Sequence, residues 1–420
     1  MSIRALRFCF SVFVLAISSL VVSAQTDNDT ETTGKVVPRL PVPSGPFGIG
    51  RVACHWIDTS RPDRYSSLPR AHRELMVYLW YPSAEKAAGA TGAYLPGAKQ
   101  MDADPEIQHR MRDDYGVIWP HIVSGAIYSH AVDNVAPAAK PLKFPVVLLS
   151  HGLGGSGFGY TSLIEDLVSR GYLVAAIEHT YTAGAVVFPN GTIVPQHHDS
   201  PVPGLTPDEG LKRMMASVGA TITEGAADVR FVLDKLTILN DGHPGSAALA
   251  GRLDLHNVAA MGHSAGAEFA ARACQLDARF KSCVDLDGGM VPVSALPEYP
   301  DGATLKQPLL FLEVDYSESK MFGTHEQHLA YFKKREEQLE TCVPGSYAVA
   351  LRSPSITHGS YSDDLLLEAA NPVQADAARH NLDLIETFVR TFLDQTLRDG
   401  HGNALDTVQT SEATIRKIGH

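Results

Sequence analysis

Apolar residues along this 420-residue chain fall into short dense runs, set apart by stretches in which they recur at helical spacing. Residues 144–150 and 172–178 are almost continuously apolar, as is the run Val258-Ala259-Ala260-Met261. That is the composition of strands buried on both faces of a parallel sheet. Residues 75–81 alternate, are rich in β-formers and stop at Pro82, and 282–289, 308–315 and 347–352 read as further strands. Between them, residues 162–170 put Leu163, Ile164, Leu167 and Val168 on one stripe with Gly171 as a C-cap. Residues 227–239, the alanine-rich 265–275 and the long 375–397 are also helical by period. Strand, helix and strand in this order predict right-handed parallel units, hence a mostly parallel central sheet flanked by helices.

Two stretches break the rhythm. Residues 84–137 look irregular and more like an insertion or lid than a core element, and Trp119, His121 and Tyr128 within them are expected to pack under a long loop. Residues 180–222 form a second loop-like insertion, with a turn at Pro189-Asn190-Gly191. His197-His198-Asp199 within it suggests a metal, but adjacent histidines point different ways and no third ligand sits at useful spacing, so a solvated loop is the better reading.

The ends read differently. Arg4 and Arg7 precede an apolar run over 8–22 and then Ser23-Ala24, the pattern of a secretory signal peptide over residues 1–24. A flexible leader over 25–44 follows, then a single domain over 45–400 and a polar tail over 401–420. No later stretch is long and apolar enough to cross a bilayer. Loss of residues 1–24 removes two arginines and no acid, so 35 basic side chains become 33 against 47 acidic and the formal charge goes from −12 to −14. An acidic surface of that kind repels nucleic acid and offers no polybasic patch to anionic lipid. Cys54, Cys274, Cys283 and Cys342 remain, with Cys274–Cys283 the expected disulfide and Cys54–Cys342 its companion. Their spacing lacks the paired C-x-x-C of structural zinc.

The chemistry centres on Gly262-His263-Ser264-Ala265-Gly266, a G-x-S-x-G motif with a strand before it and a helix after it. A serine on such a sharp turn has its hydroxyl lifted clear of the sheet, and the two glycines keep the turn free of side-chain clashes. The hydroxyl becomes a nucleophile only with an imidazole to take its proton and a carboxylate to hold that imidazole. In the α/β-hydrolase fold the order is serine, acid, histidine. His358, on the loop after the last strand, fits as base, whereas His325 and His328 fall in a stretch that reads as helix. Asp285, Asp287, Glu313 and Asp315 all fit as acid. General fold rules favour Asp315, with Asp287 one strand earlier its competitor. His151-Gly152-Leu153-Gly154-Gly155 closes the strand over 144–150, where a glycine-rich turn can offer backbone N–H groups to a developing oxyanion, and the lysine of a phosphate-binding loop is missing.

The blocks Leu149-Ser150-His151-Gly152-Leu153-Gly154, Ala175-Ala176-Ile177-Glu178-His179, Gly262-His263-Ser264-Ala265-Gly266 and Leu286-Asp287-Gly288-Gly289-Met290 together resemble the platelet-activating factor acetylhydrolase family, its plasma and type II intracellular enzymes. The resemblance runs from about Gly45 to the last helix. It implies Asp287 as the triad acid, the N–H groups of Leu153 and Ala265 as the oxyanion hole, and a calcium-independent esterase acting on short-acyl phospholipids or other small esters. The chain departs from the family pattern at Ala265, Ala267, Gly288 and Gly289, the last two bordering the acyl pocket. The expectation is therefore a secreted or periplasmic serine ester hydrolase of α/β-hydrolase fold, with Ser264, His358 and Asp287 catalytic, Asp315 the alternative acid, no cofactor, and a small ester or phospholipid-like substrate.

Overall fold

The computed structural model describes residues 38–66, 68–86, 92–199, 202–242, 248–288, 304–317, 325–399 and 404–419. The expected signal peptide lies outside them, as do Gly289 and Met290. Ten strands build one sheet: β1 (Gly48–Pro62), β2 (His72–Ser83), β3 (Ala131–Asp133), β4 (Phe144–Ser150), β5 (Leu173–Glu178), β6 (Leu253–His263), β7 (Phe280–Leu286), β8 (Leu309–Val314), β9 (Ser346–Leu351) and β10 (Ala413–Ile418). Their order across the sheet is β10-β9-β8-β7-β6-β4-β5-β2-β1-β3. From β5 to β9 every neighbouring pair is parallel, while β2 joins β5, and β10 joins β9, antiparallel. This is the mostly parallel, helix-flanked sheet of the α/β-hydrolase fold.

Continuous apolar runs became the central strands because both faces are covered. Every residue of β4 and β5 is buried. On one face Val147, Leu149 and Val174 pack with Leu163 and Leu167 of α4 (Thr161–Ser169) and with Ile385, Phe388 and Phe392 of a long C-terminal helix, Pro372–Asp394. On the other, Val146, Leu148 and Ala175 meet Val229, Val232 and Leu236 of α5 (Pro207–Asn240) and Phe269 of α6 (Ala265–Leu276).

The structure departs from the sequence reading in several places. The stretch read as irregular after residue 84 folds in part as α1 (Ala98–Ala103), α2 (Pro105–Tyr115) and α3 (Trp119–Ser124), α2 being capped by the Asp104 carboxylate. Met101, Ile107, Met111, Trp119 and Ile122 are buried in the same cluster as Val147 and Leu149, so these helices belong to the core. Trp119 packs as expected, and its Nε1 donates to Asp102 Oδ1 at 2.8 Å. α5 begins at Pro207, 20 residues ahead of the predicted start, because Thr206 and Glu209 form a reciprocal capping box and Pro207 occupies the first turn. The polar tail over 401–420 contributes edge strand β10, which the sequence reading did not include among the strands. The four cysteines among the described residues are free thiols: Cys274 turns its Sγ to the Ser282 carbonyl at 3.8 Å and forms no disulfide with Cys283.

What matters for function is the carboxyl edge of the sheet. Residues 151–153 follow β4, Ser264 follows β6, Asp287 follows β7 and Asp315 follows β8, while His358 lies on the connection after β9. Ligand sites of open α/β sheets lie along this edge.

Candidate active site

Ser264 sits between β6 and α6 with φ 54° and ψ −123°, a conformation that non-glycine residues adopt only where their surroundings enforce it. The enforcement is visible. The Ser264 N–H donates to the Leu286 carbonyl at 3.0 Å, tying the turn to β7. A Cβ at Gly262 would lie 2.1 Å from the Gly266 carbonyl oxygen, and one at Gly266 would lie 2.3 Å from that of Ser150. The glycines of G-x-S-x-G are therefore required by backbone contact with each other and with β4.

Asp287 also has a positive φ, 55°, which turns its carboxylate out of the line of β7. Its Oδ2 receives His358 Nδ1 at 2.6 Å and the Tyr316 hydroxyl at 2.6 Å, and its Oδ1 receives the Val314 N–H at 3.0 Å. The other three acids are engaged elsewhere. Asp315 is held by Arg352 Nε at 2.6 Å and the Ser317 N–H at 3.0 Å. Glu313 accepts from Arg335 Nη1 at 2.6 Å. Asp285 is fully buried, accepts from the Gly288 N–H at 2.7 Å, and burial pushes its carboxyl up to about 7. Of the four candidate acids, Asp287 is thus the one hydrogen-bonded to His358, whereas Asp315, which general fold rules favour, is turned to Arg352.

The His358 ring lies 4.5 Å, centroid to centroid, from that of His263, the residue before Ser264, and Tyr361 is stacked on His263 at 5.3 Å. His358 keeps 29 % of its side chain exposed while Asp287 keeps 2 %. An imidazole open to solvent on one side and bonded to a sheltered carboxylate on the other can exchange a proton with a group on its open side.

The glycine-rich turn after β4 runs beside the serine: a Cβ at Gly152 would sit 3.4 Å from Ser264 Cβ. Its N–H donates to the Tyr160 hydroxyl at 3.1 Å, and that hydroxyl bonds His263 Nδ1 at 2.7 Å, so the turn and the elbow are bridged by one side chain. Burial, reinforced by His358, holds the His263 imidazole well below its usual range, keeping it neutral. Leu153 is 40 % exposed at this turn, and Ala265 opens α6, where the first main-chain N–H groups of a helix lack intrahelical carbonyl partners. Burial raises Glu268 on α6 well above the usual carboxyl range, reinforced by Asp285.

The departures at Ala267 and Gly288 meet in space. A Cβ at Gly288 would fall 2.3 Å from Ala267 Cβ, so a methyl at 267 requires its absence at 288. Sequence reading missed Tyr160 and a second Ser-His-Asp set, Ser150, His179 and Asp228, all 0 % exposed. Nothing local marks residues that far apart as partners; only the buried polar ends of β4 and β5 hint at them. In the His197-His198-Asp199 run, read as a solvated loop, His197 Nε2 lies 3.5 Å from Asp199 Oδ1 and the ring packs on Tyr65.

A family model described as platelet-activating factor acetylhydrolase, isoform II, matches residues 34–192 and 220–347, which takes in Ser264 and Asp287 but stops short of His358. The chain is 27 % identical over 332 residues to a platelet-activating factor acetylhydrolase of Cavia porcellus, covering 73 % of this chain and 67 % of that one. A probable 1-alkyl-2-acetylglycerophosphocholine esterase of Arthroderma benhamiae is 23 % identical, with 82 % and 81 % covered. Among solved structures, a ferulic acid esterase from Streptomyces cinnamoneus superposes with a TM-score of 0.65 at 26 % identity, over 90 % of this chain and 99 % of that one.

Proposed function

The chain belongs to the platelet-activating factor acetylhydrolase isoform II family and is an ester hydrolase, and from that premise we propose that it works through an acyl-enzyme on Ser264. The observation that carries the proposal is the 2.6 Å contact between Asp287 Oδ2 and His358 Nδ1 beside a serine held at positive φ. A carboxylate accepting from Nδ1 leaves Nε2 bare, so His358 is ready to take the Ser264 proton as the hydroxyl attacks the ester carbonyl. The Leu153 and Ala265 N–H groups stabilise the tetrahedral oxyanion. His358 then returns the proton to the leaving alcohol, the acyl group stays on Ser264, and water activated by the same imidazole releases it.

The acetylhydrolase relatives act on an acetyl ester of an alkyl glycerophosphocholine and the structural neighbour on ferulic acid esters, as their names state; the family match favours acetyl and other short acyl groups as the substrate class here. The chain is proposed to be exported, residues 1–24 serving as a signal peptide, so that the mature protein starts near Gln25. No described helix is long and apolar enough to cross a membrane.

A panel of p-nitrophenyl esters of rising acyl length, run on the wild type and Ser264→Ala, tests the reading. It predicts the highest kcat/KM for acetate to butyrate and a loss of several orders of magnitude in the variant. Near-normal hydrolysis by Ser264→Ala would end it.

A further inference from the structure

The peptide unit between Gly152 and Leu153 carries the Gly152 carbonyl at one end and the Leu153 N–H at the other. It is trans, because Lys140–Pro141 is the sole cis bond among the described residues, so the two groups point in opposite directions in one plane. Whatever holds the carbonyl therefore aims the N–H. The Gly152 oxygen is held twice, by the Gly155 N–H at 3.0 Å within the turn and by His151 Nδ1 at 2.7 Å.

The second contact needs a proton on Nδ1, and the surroundings of the ring supply the reason for one. His151 Nε2 receives the main-chain N–H of His179 at 3.2 Å. A main-chain N–H only donates, so Nε2 must be bare and the neutral ring must carry its proton on Nδ1. His151 is 0 % exposed, and burial pushes its imidazole down to about 3, so the doubly protonated form does not compete.

His179 is itself immobilised by the second Ser-His-Asp set. Its Nδ1 meets Asp228 Oδ2 at 3.0 Å and its Nε2 meets Ser150 Oγ at 3.0 Å. Asp228 is gripped by Arg73 through Nη2 at 2.6 Å and Nε at 3.1 Å, and Arg73 Nη1 donates to the Thr180 carbonyl at 2.8 Å. With no exposed atom this set has no access to a substrate; what it does is lock the ends of β4 and β5, and with them the N–H that meets His151.

We propose that His151 is a positioning residue for the oxyanion loop, its tautomer set by the His179 main chain and the Ser150-His179-Asp228 clamp behind it. The role rests on the assignment of the Leu153 N–H to the oxyanion hole. Two variants test it. His151→Asn carries an amide N–H near the place of Nδ1 and can still donate to Gly152, whereas His151→Leu fills the space and donates nothing. On p-nitrophenyl acetate His151→Leu is expected to lower kcat about 10²-fold with KM within about twofold, and to weaken a trifluoromethyl ketone, which binds as a tetrahedral adduct, by a similar factor. His151→Asn is expected to recover most of that loss. Equal losses in the two variants, or a loss carried by KM, would overturn the role. Should either variant fail to fold, the ¹⁵N spectrum of the wild-type His151 ring decides: an Nδ1–H tautomer supports the role and an Nε2–H tautomer overturns it. An active wild type beside an unimpaired His151→Leu would overturn this role alone, while a wild type devoid of esterase activity would overturn the hydrolase reading and this role with it.

Discussion

Replacing Asp287 by asparagine changes one oxygen for an NH₂ group, and the contacts around it dictate which one. Oδ1 of Asp287 accepts from the Val314 N–H, a main-chain donor of β8 that cannot turn away. The introduced amide must therefore keep its oxygen toward Val314 and present its NH₂ to His358 Nδ1 and the Tyr316 hydroxyl. A donor facing Nδ1 selects the imidazole tautomer with the proton on Nε2, which is then unable to take the serine proton. The imidazolium formed in the transition state also loses its counter-charge. A wrong tautomer at this position costs about 10⁴-fold in kcat while leaving the geometry in place. Asp315→Asn breaks only an ion pair with Arg352, whose side chain is 54 % exposed, and pairs of that kind contribute no more than about 1 kcal/mol. The expectation is thus a folded, nearly inactive Asp287→Asn at pH 7, and an Asp315→Asn within about tenfold of wild type, by kcat on p-nitrophenyl acetate with thermal unfolding as the control. An active Asp287→Asn beside a dead, folded Asp315→Asn would refute the reasoning and move the acid to the end of β8.

Gly266→Ala puts a methyl 2.3 Å from the Ser150 carbonyl oxygen and 2.5 Å from that of His151, so it should destabilise by more than about 2 kcal/mol in urea unfolding. Gly210→Ala, in α5 with nothing within 4 Å, should instead be neutral or stabilise by up to about 1 kcal/mol, and a reversal of the two would contradict the packing argument. Glu178 is buried at the end of β5, accepting from the Gly157 N–H and the Ser156 hydroxyl, and burial pushes its carboxyl up to about 7. The folded chain therefore holds a proton that the unfolded chain releases above about 4.5, and stability falls as pH rises from there to about 7. Asp285 and Asp363, raised by burial to about 7 and about 8, act with the same sign. Glu178→Gln should flatten the decline in urea midpoint between about pH 5 and pH 8; a decline as steep as wild type would show that Glu178 titrates normally.

The central strands were legible because burial on both faces leaves no polar position to blur the pattern: β4 lies where its apolar run predicts, and β5 differs by one residue. β1 and β10 were missed for the converse reason. Both sit toward the margins of the sheet, and beyond the buried residues 48–51 of β1 they largely alternate between half-buried and exposed, so Arg, Lys, Asp and Thr interrupt any apolar run. The first 20 residues of α5 interleave charged and hydroxyl side chains with buried apolar ones such as Met215 and Ile222, which blurs the helical period, and only the Thr206 capping box marks their start. At the site, Ser264 was readable from local spacing, since G-x-S-x-G reports backbone contacts made within five residues and with the neighbouring strand. Asp287 was not settled by spacing, because which carboxylate reaches the histidine depends on the positive φ at 287 and on the diversion of Asp315 to Arg352. Tyr160 and His179 act across 103 and 49 positions, to His263 and Asp228, and periodicity carries no trace of such pairings.

The central claim is that Ser264 is activated by His358, and labelling with a fluorophosphonate followed by peptide mass spectrometry tests it most directly. The account predicts one modified serine, Ser264, in the folded wild type, and labelling slowed by orders of magnitude in His358→Ala. Label on another serine with Ser264 bare, or equal labelling of wild type and His358→Ala, would contradict it.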